Sequence, residues 1–451
     1  MKTYSESRSQ WSSGRAYLLV TIGAIVGLGN IIQFPIFVTQ YGGLFILFYV
    51  LCELAVAIPL LFAELMIGRC GKQNAVGSIA IVSMESNANR QWRYLGWFFC
   101  LISLLTLSYY TVQAAFSLGY VAGFVKTLLS VGIIDKTTIV PIHDVMKNFF
   151  TLEFFFIIFL IATMCVIVRG INRGLEKISA IVVPTYFIIL IMLAFYTDIQ
   201  GGNFLASLKI LFSIHSDQSI FTILLAAMGY AFFKLNVGMG TMIVYGSYLP
   251  YSTSLGRSTA IIVIFDAVIS LLAYFVIYPL MLQSNDFSAN LSNHHIIYLF
   301  SNMPNGVLVA AFFFLAAVLA AWTCTIAMAE MVTVTLVERF NVTRFKAVII
   351  VFICAVIIGS FAALTHTDLI HIMLFNHLQL QGITRNMTSN ILTPIAAILI
   401  AIFSGWVMNK NISQTELNFN LILYKIWLFL TRIAPIFLMT MLGIALLILL
   451  I

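Results

Sequence analysis

Charge is what this sequence has least of: Asp, Glu, Lys and Arg make up 9% of its 451 residues. A soluble globular chain carries about 25%, so a set of separate water-facing cores is excluded. The 61% hydrophobic content is meant for lipid. Histidine and cysteine are scarce as well. The seven histidines (His143, His215, His294, His295, His366, His371 and His377) fall in or beside expected outer loops. An intramembrane enzyme would need a nucleophile, base or metal cluster within the spans; with the histidines in loops and no HExxH or GxSxG pattern, it is not expected. The six cysteines (Cys52, Cys70, Cys100, Cys165, Cys324 and Cys354) lie mostly within or beside apolar runs without metal or disulfide spacing, and read as packing residues. A net charge of +7 is spread between apolar stretches. No basic patch carries interleaved aromatics, so nucleic acid is not expected as a partner. No cleavable leader is expected either, because a polar start runs straight into a long apolar segment.

What the chain does have is apolar length. Crossing a bilayer takes about 20 apolar residues per helix. Eleven stretches qualify, beginning near Ala16, Leu44, Tyr94, Leu152, Ile178, Ile220, Ala260, Val307, Ala347, Ile391 and Leu428. With the amino terminus placed in the cytoplasm, sixteen Lys and Arg fall on the cytoplasmic side. Only five (Lys126, Lys136, Lys147, Lys209 and Arg385) fall on the other. The positive-inside rule therefore predicts a multi-pass protein of the cell inner membrane, amino terminus inside and carboxy terminus outside. The expected fold is an all-α membrane protein, residues 1–451 forming one transmembrane domain in contact with the lipid bilayer.

Two spans carry sequence that an ordinary spanning helix avoids. The first reads Gly23-Ala24-Ile25-Val26-Gly27-Leu28-Gly29-Asn30, with Pro35 close behind; the sixth reads Lys234-Leu235-Asn236-Val237-Gly238-Met239-Gly240. Glycine weakens a helix, and backbone freed at membrane depth is tolerated only where it lines a cavity or is enclosed by protein. Close glycine packing between helices explains one such segment equally well. Two, each opening a set of five spans, point to broken helices and an inverted 5+5 repeat. The repeats would cover about 12–197 and 218–408, with an additional helix at about 424–451.

At these residues the chain resembles the neurotransmitter:sodium symporter family, whose bacterial members are LeuT-fold amino-acid transporters. The resemblance is strongest from Trp11 to Gly71: Gly27-Leu28-Gly29-Asn30 to Phe34-Pro35, Tyr41-Gly42-Gly43, Pro59, and Glu64 before Gly68-Arg69. It continues through Tyr109-Tyr110, Arg169-Gly170-Ile171, Gly174-Leu175-Glu176-Lys177, Gly238, Tyr245 to Tyr248, Thr323 and Thr388-Ser389-Asn390-Ile391-Leu392. It implies a symporter working by alternating access, not an enzyme, with an amino acid held between helices 1, 3, 6 and 8. The substrate carboxylate would meet the amides of Leu28 and Gly29 and the hydroxyl of Tyr110. Its ammonium would meet the carbonyls of Ile25 and Phe233, and Asn236. Half-helix ends suit both charges. Gly27 stands where monoamine carriers of the family have an aspartate, so the expected substrate brings its own carboxylate. Thr106, Met239, Cys324, Thr325 and Met328 would form the side-chain pocket, which suits a neutral, fairly apolar amino acid; for the methionines, plain gap-filling is an equal reading.

The family pattern is not kept throughout. Its first sodium site uses a helix 1 asparagine, a helix 6 threonine and a helix 7 asparagine; here those positions read Asn30, Lys234 and Asp266. Charges at mid-bilayer are costly unless paired and are usually functional, so the lysine is expected to replace that sodium ion, against the alternative of a structural salt bridge. Ser270 stands where chloride-independent members have a glutamate. Asp266 would supply that negative charge, and no chloride is expected. The second sodium site would keep the carbonyls of Gly23, Val26 and Ala320 and the hydroxyl of Thr323. Its remaining ligand is Cys324, a soft sulfur that suits sodium poorly. One sodium ion is thus the expected co-substrate. The inner gate would be Arg8 and Trp11 facing Glu338. In the outer gate Gln33 and Arg385 replace the family's ion pair, and Phe233 belongs to the same gate set. Glu64 matches a structural glutamate of the family, and Glu330 takes no role from it. Two alternatives stay open: proton coupling instead of sodium, and a non-transporting amino-acid sensor on the same fold.

Overall fold

A computed structural model describes residues 9–131, 145–200, 204–213, 218–284, 296–297, 299–300, 303–365, 373–374, 378–379 and 383–450. The described residues are helical almost throughout. Beside the helices the described residues hold one small hairpin, Met373–Leu374 paired antiparallel with Leu378–Gln379. Arg8 and all seven histidines lie outside the described residues.

Helix α1, Gly14–Ile25, starts at Ser13, whose hydroxyl accepts from the Ala16 amide. It stops at Val26, where the backbone turns extended. After a short unwound stretch a π-helical turn at Gly29–Gln33 leads into α2, Phe34–Cys52. Gly42 at φ 68° kinks α2, and a second π-helical turn at Glu53–Ala57 leads into α3, Ile58–Gly71. Then come α4, Ala75–Glu85; α5, Arg93–Val131; α6, Phe149–Val168; α7, Lys177–Ile199; and α8, Phe204–Leu211. The second interruption separates α9, Ile220–Lys234, from the short α10, Thr241–Ser247. The remainder is α11, Leu255–Ser284; α12, Gly306–Phe340; α13, Arg344–Thr365; α14, Thr393–Ile402; α15, Lys410–Leu417; and α16, Leu421–Leu450.

Among the described residues, nine helices are long and apolar enough to cross a membrane. Eleven spans are expected from the sequence. The difference has a physical reason: the first and sixth expected spans open on Gly14–Ile25 and Ile220–Lys234, helices of 12 and 15 residues that stop at the breaks and are too short to cross.

The two breaks face each other inside the bundle. Helix α5 lies along α12, α1 packs against α7 and α12, α9 against α2, and α10 against α3. The amides freed by unwinding are satisfied by side chains, as burial in lipid demands. Asn30 Oδ1 accepts from the Gly27 amide at 3.1 Å, and Glu64 Oε1 accepts from the Gly238 amide at 2.7 Å. The second break runs through three left-handed residues, Asn236 (φ 53°), Gly238 (φ 82°) and Gly240 (φ 70°). Glu330, fully buried in α12, accepts from Tyr248 Oη and pairs with Arg344 at the start of α13. This gives Glu330 a partner that the sequence does not reveal.

Candidate functional site

The unwound turns of the two broken helices meet α5 and α12 around a small cavity. It is lined by Ile25, Gly27, Gly29, Asn30, Tyr110, Lys234, Asn236, Cys324 and Met328. Its volume is about 10 Å³, room for about one water, so the site is contracted around its own polar groups. The groups expected to hold a carboxylate hold each other instead, the Leu28 amide donating to Tyr110 Oη at 2.7 Å. Asn236 Nδ2 donates to the Ala24 carbonyl. Gly27 sits where no side chain fits: a Cβ there would collide with Tyr110 Oη and lie 2.9 Å from Cys324 Sγ.

Beside this cavity lies a buried ionic cluster. Lys234 Nζ is 2.5 Å from Asp266 Oδ2, and both side chains are fully excluded from solvent. Asn30 Nδ2 donates to Asp266 Oδ1 at 2.6 Å and to Ser270 Oγ at 2.9 Å. The three residues carried onto the first ion site thus converge. Lys234 also donates to Tyr49 Oη at 2.5 Å and sits 4.6 Å from that ring's centroid. The Phe34 and Tyr230 rings stand 5.8 and 5.7 Å away. Aromatic faces attract a desolvated cation, so the ammonium has a carboxylate, a hydroxyl and three rings about it. Tyr49, Phe34, Tyr230 and nearby Glu53 are not found by the sequence reading. The available signal was an acid inside an apolar run, one helical turn past a tyrosine.

The second expected ion site is also gathered. Cys324 Sγ faces the carbonyls of Gly23 at 3.6 Å, Ala24 at 3.2 Å and Val26 at 3.1 Å. Thr323 Oγ1 donates to the Ala320 carbonyl at 2.9 Å. Four oxygen donors from Gly23, Val26, Ala320 and Thr323 suit a hard cation, and the thiol is the one soft member.

Other expected residues stand elsewhere. Thr325 Oγ1 meets Thr163 Oγ1 at 3.2 Å, toward α6, and bonds the Trp322 carbonyl. Thr106 and Met239 are fully buried but do not line the cavity. Phe233 is the penultimate residue of α9, next to Lys234. No hydrogen bond joins Gln33 to the exposed Arg385 among the described residues, while Tyr109 Oη meets Ser389 Oγ at 2.9 Å. At the other end Trp11 Nε1 donates to the Tyr245 carbonyl at 3.1 Å, and its ring packs edge-on against Tyr245 and Tyr248. Glu338 accepts from the Asn74 backbone and side chain at 2.7 and 2.8 Å.

Comparison with known proteins shows what the chain as a whole is similar to. A family model described as the sodium:neurotransmitter symporter family matches residues 8–132. A sodium-dependent transporter of Bacillus subtilis, YhdH, is 28% identical over 94% of both chains. The mouse sodium-dependent neutral amino acid transporter B(0)AT3 is 25% identical over 62% of this chain and 49% of its own length. The crystal structure of MhsT in complex with L-phenylalanine has a TM-score of 0.85 at 26% identity, covering 98% of this chain and 99% of that one.

Proposed function

We propose that this chain belongs to the sodium:neurotransmitter symporter family, whose members are transporters rather than enzymes, and that it carries a neutral L-amino acid across the cell inner membrane with at most one sodium ion. The observation that carries the reading is the ionic cluster: Lys234, Asp266 and Asn30 meet at 2.5 and 2.6 Å beside the cavity. An ammonium tethered to α9 does there what a free cation does elsewhere in the family. It bridges the broken first helix, the broken sixth and α11, so one ion fewer has to be recruited from solution.

The substrate would lie in the opened cavity. Its carboxylate would displace the mutual bond of Leu28 and Tyr110 and take the amides at the start of the half-helix, where the dipole favours an anion. Its ammonium would face the carbonyl ends of α1 and α9. Gly27 leaves no room for a side-chain carboxylate, which supports a substrate that brings its own. Cys324 and Met328 give the cavity an apolar, adaptable wall, and the L-phenylalanine bound to MhsT supports an apolar side chain. Sodium would be held by the carbonyls of Gly23, Val26 and Ala320 with Thr323. In this reading no chloride is needed, since Asp266 supplies the negative charge. The distribution of Lys and Arg supports an amino terminus inside, and in this reading the two repeats would rock about the fixed site.

Uptake of radiolabelled amino acids into proteoliposomes, compared with binding to the detergent-solubilised protein, tests this. Accumulation of a neutral amino acid under an inward sodium gradient is expected. Binding without accumulation under either a sodium or a proton gradient would make the chain a sensor.

A further inference from the structure

Glu53 has no part in the reading above, yet it lies within reach of the ionic cluster. It occupies the π-helical turn between α2 and α3 and is 4% exposed; Tyr49 hydrogen-bonds to its carboxyl group, and its Oε1 has no hydrogen-bond partner among the described residues. Its turn packs against α9, which ends in Lys234, and the groups acting on it are Lys234, Asp266 of α11 and Tyr49, one turn back near the end of α2. Tyr230 of α9 faces the same group. Helix α16 packs on this turn as well and adds no charged group to those interactions among the described residues.

The cluster therefore holds two carboxyl groups and a single ammonium. Asp266 is the carboxylate in ion-pair contact with that ammonium, so the positive charge is already matched. A second ionised carboxylate would leave a net negative charge buried at membrane depth, which is strongly unfavourable.

We infer that Glu53 is a proton-binding site: it carries its proton while the cavity is contracted, and gives it up when the broken helices part and water enters. The Glu53 O–H bond breaks, the proton passes to that water, and the hydrated carboxylate remains. A proton picked up from one side and released to the other then accompanies the transport cycle. This last step rests on the transport reading; the protonation itself does not.

Glu53→Gln is isosteric with the protonated acid. Its thermal unfolding midpoint is expected to match that of the full-length parent at neutral pH. The infrared difference spectrum of parent minus variant is expected to show one protonated-carboxyl carbonyl band. If the variant instead loses as much stability as Lys234→Ala and the band is missing, Glu53 is an ionised counter-charge and the inference is overturned. In proteoliposomes with L-phenylalanine as probe, an outward proton gradient (acidic lumen) should accelerate uptake by the parent, because the contracted cavity that keeps the proton has no room for substrate, and Glu53→Gln should lose that acceleration. Acceleration that persists in the variant places the coupling proton elsewhere and also overturns the inference. If neither protein moves L-phenylalanine, the infrared band still decides the protonation state, so the two readings fail separately.

Discussion

Lys234 and Asp266 show why a pair of charges can sit where a family pattern has neutral side chains. Each alone would be an unpaired ion in a low-dielectric interior. Together, with Tyr49, Asn30 and the surrounding rings, they are matched. Removing one partner of such a pair typically costs about 3–5 kcal/mol. Lys234→Ala should therefore lower the unfolding midpoint and abolish amino-acid binding, with Asp266→Asn nearly as damaging. The double change Lys234→Thr with Asp266→Asn restores the family's ligands and should regain some binding with a steeper sodium dependence. Binding with unchanged sodium dependence would reduce the pair to a structural salt bridge. Cys324 permits a second test at this scale. Its sulfur faces three carbonyls, and Cys324→Ser puts a hard oxygen there. The sodium concentration for half-maximal uptake should fall, and no change would remove Cys324 from the ion site.

The broken helices depend on backbone that only a few residues tolerate. Gly238 is left-handed, its amide is tied to Glu64, and a Cβ there would stand 2.8 Å from the Thr393 carbonyl. A left-handed residue other than glycine costs roughly 1–2 kcal/mol before any collision. Gly229 lies within α9, where a Cβ meets nothing within 4 Å. Alanine is the better helix former by about 1 kcal/mol. Thermal unfolding of the two alanine variants should therefore diverge, Gly238→Ala falling below the parent and Gly229→Ala matching or exceeding it. Equal midpoints would mean that the second break is not a fixed feature.

For the whole molecule, the consequence is stoichiometry. If the Lys234 ammonium takes one cation position, as proposed, the cycle needs no more than one sodium ion at the Thr323 site. The sodium dependence of uptake should be hyperbolic, without the sigmoidal rise that two coupled ions give. Two sodium densities in a substrate-bound experimental structure would contradict this directly.

The sequence by itself determined the membrane class, because 9% charge cannot cover a water-facing surface. It also located both interruptions, since glycine and asparagine act locally on the backbone. The motif resemblance carried the fold and most of the candidate site, including the meeting of Lys234, Asp266 and Asn30. Tertiary structure decided what depends on how each helix is rotated and tilted against its neighbours, which packing sets rather than apolar length. Thr325 turns toward Thr163, Leu28 and Tyr110 satisfy each other, and Glu330 finds Arg344. Rings from α2 and α9 close around Lys234, and Glu53 is brought to the same place. Each of these joins residues far apart in the chain, where neither periodicity nor spacing carries a signal.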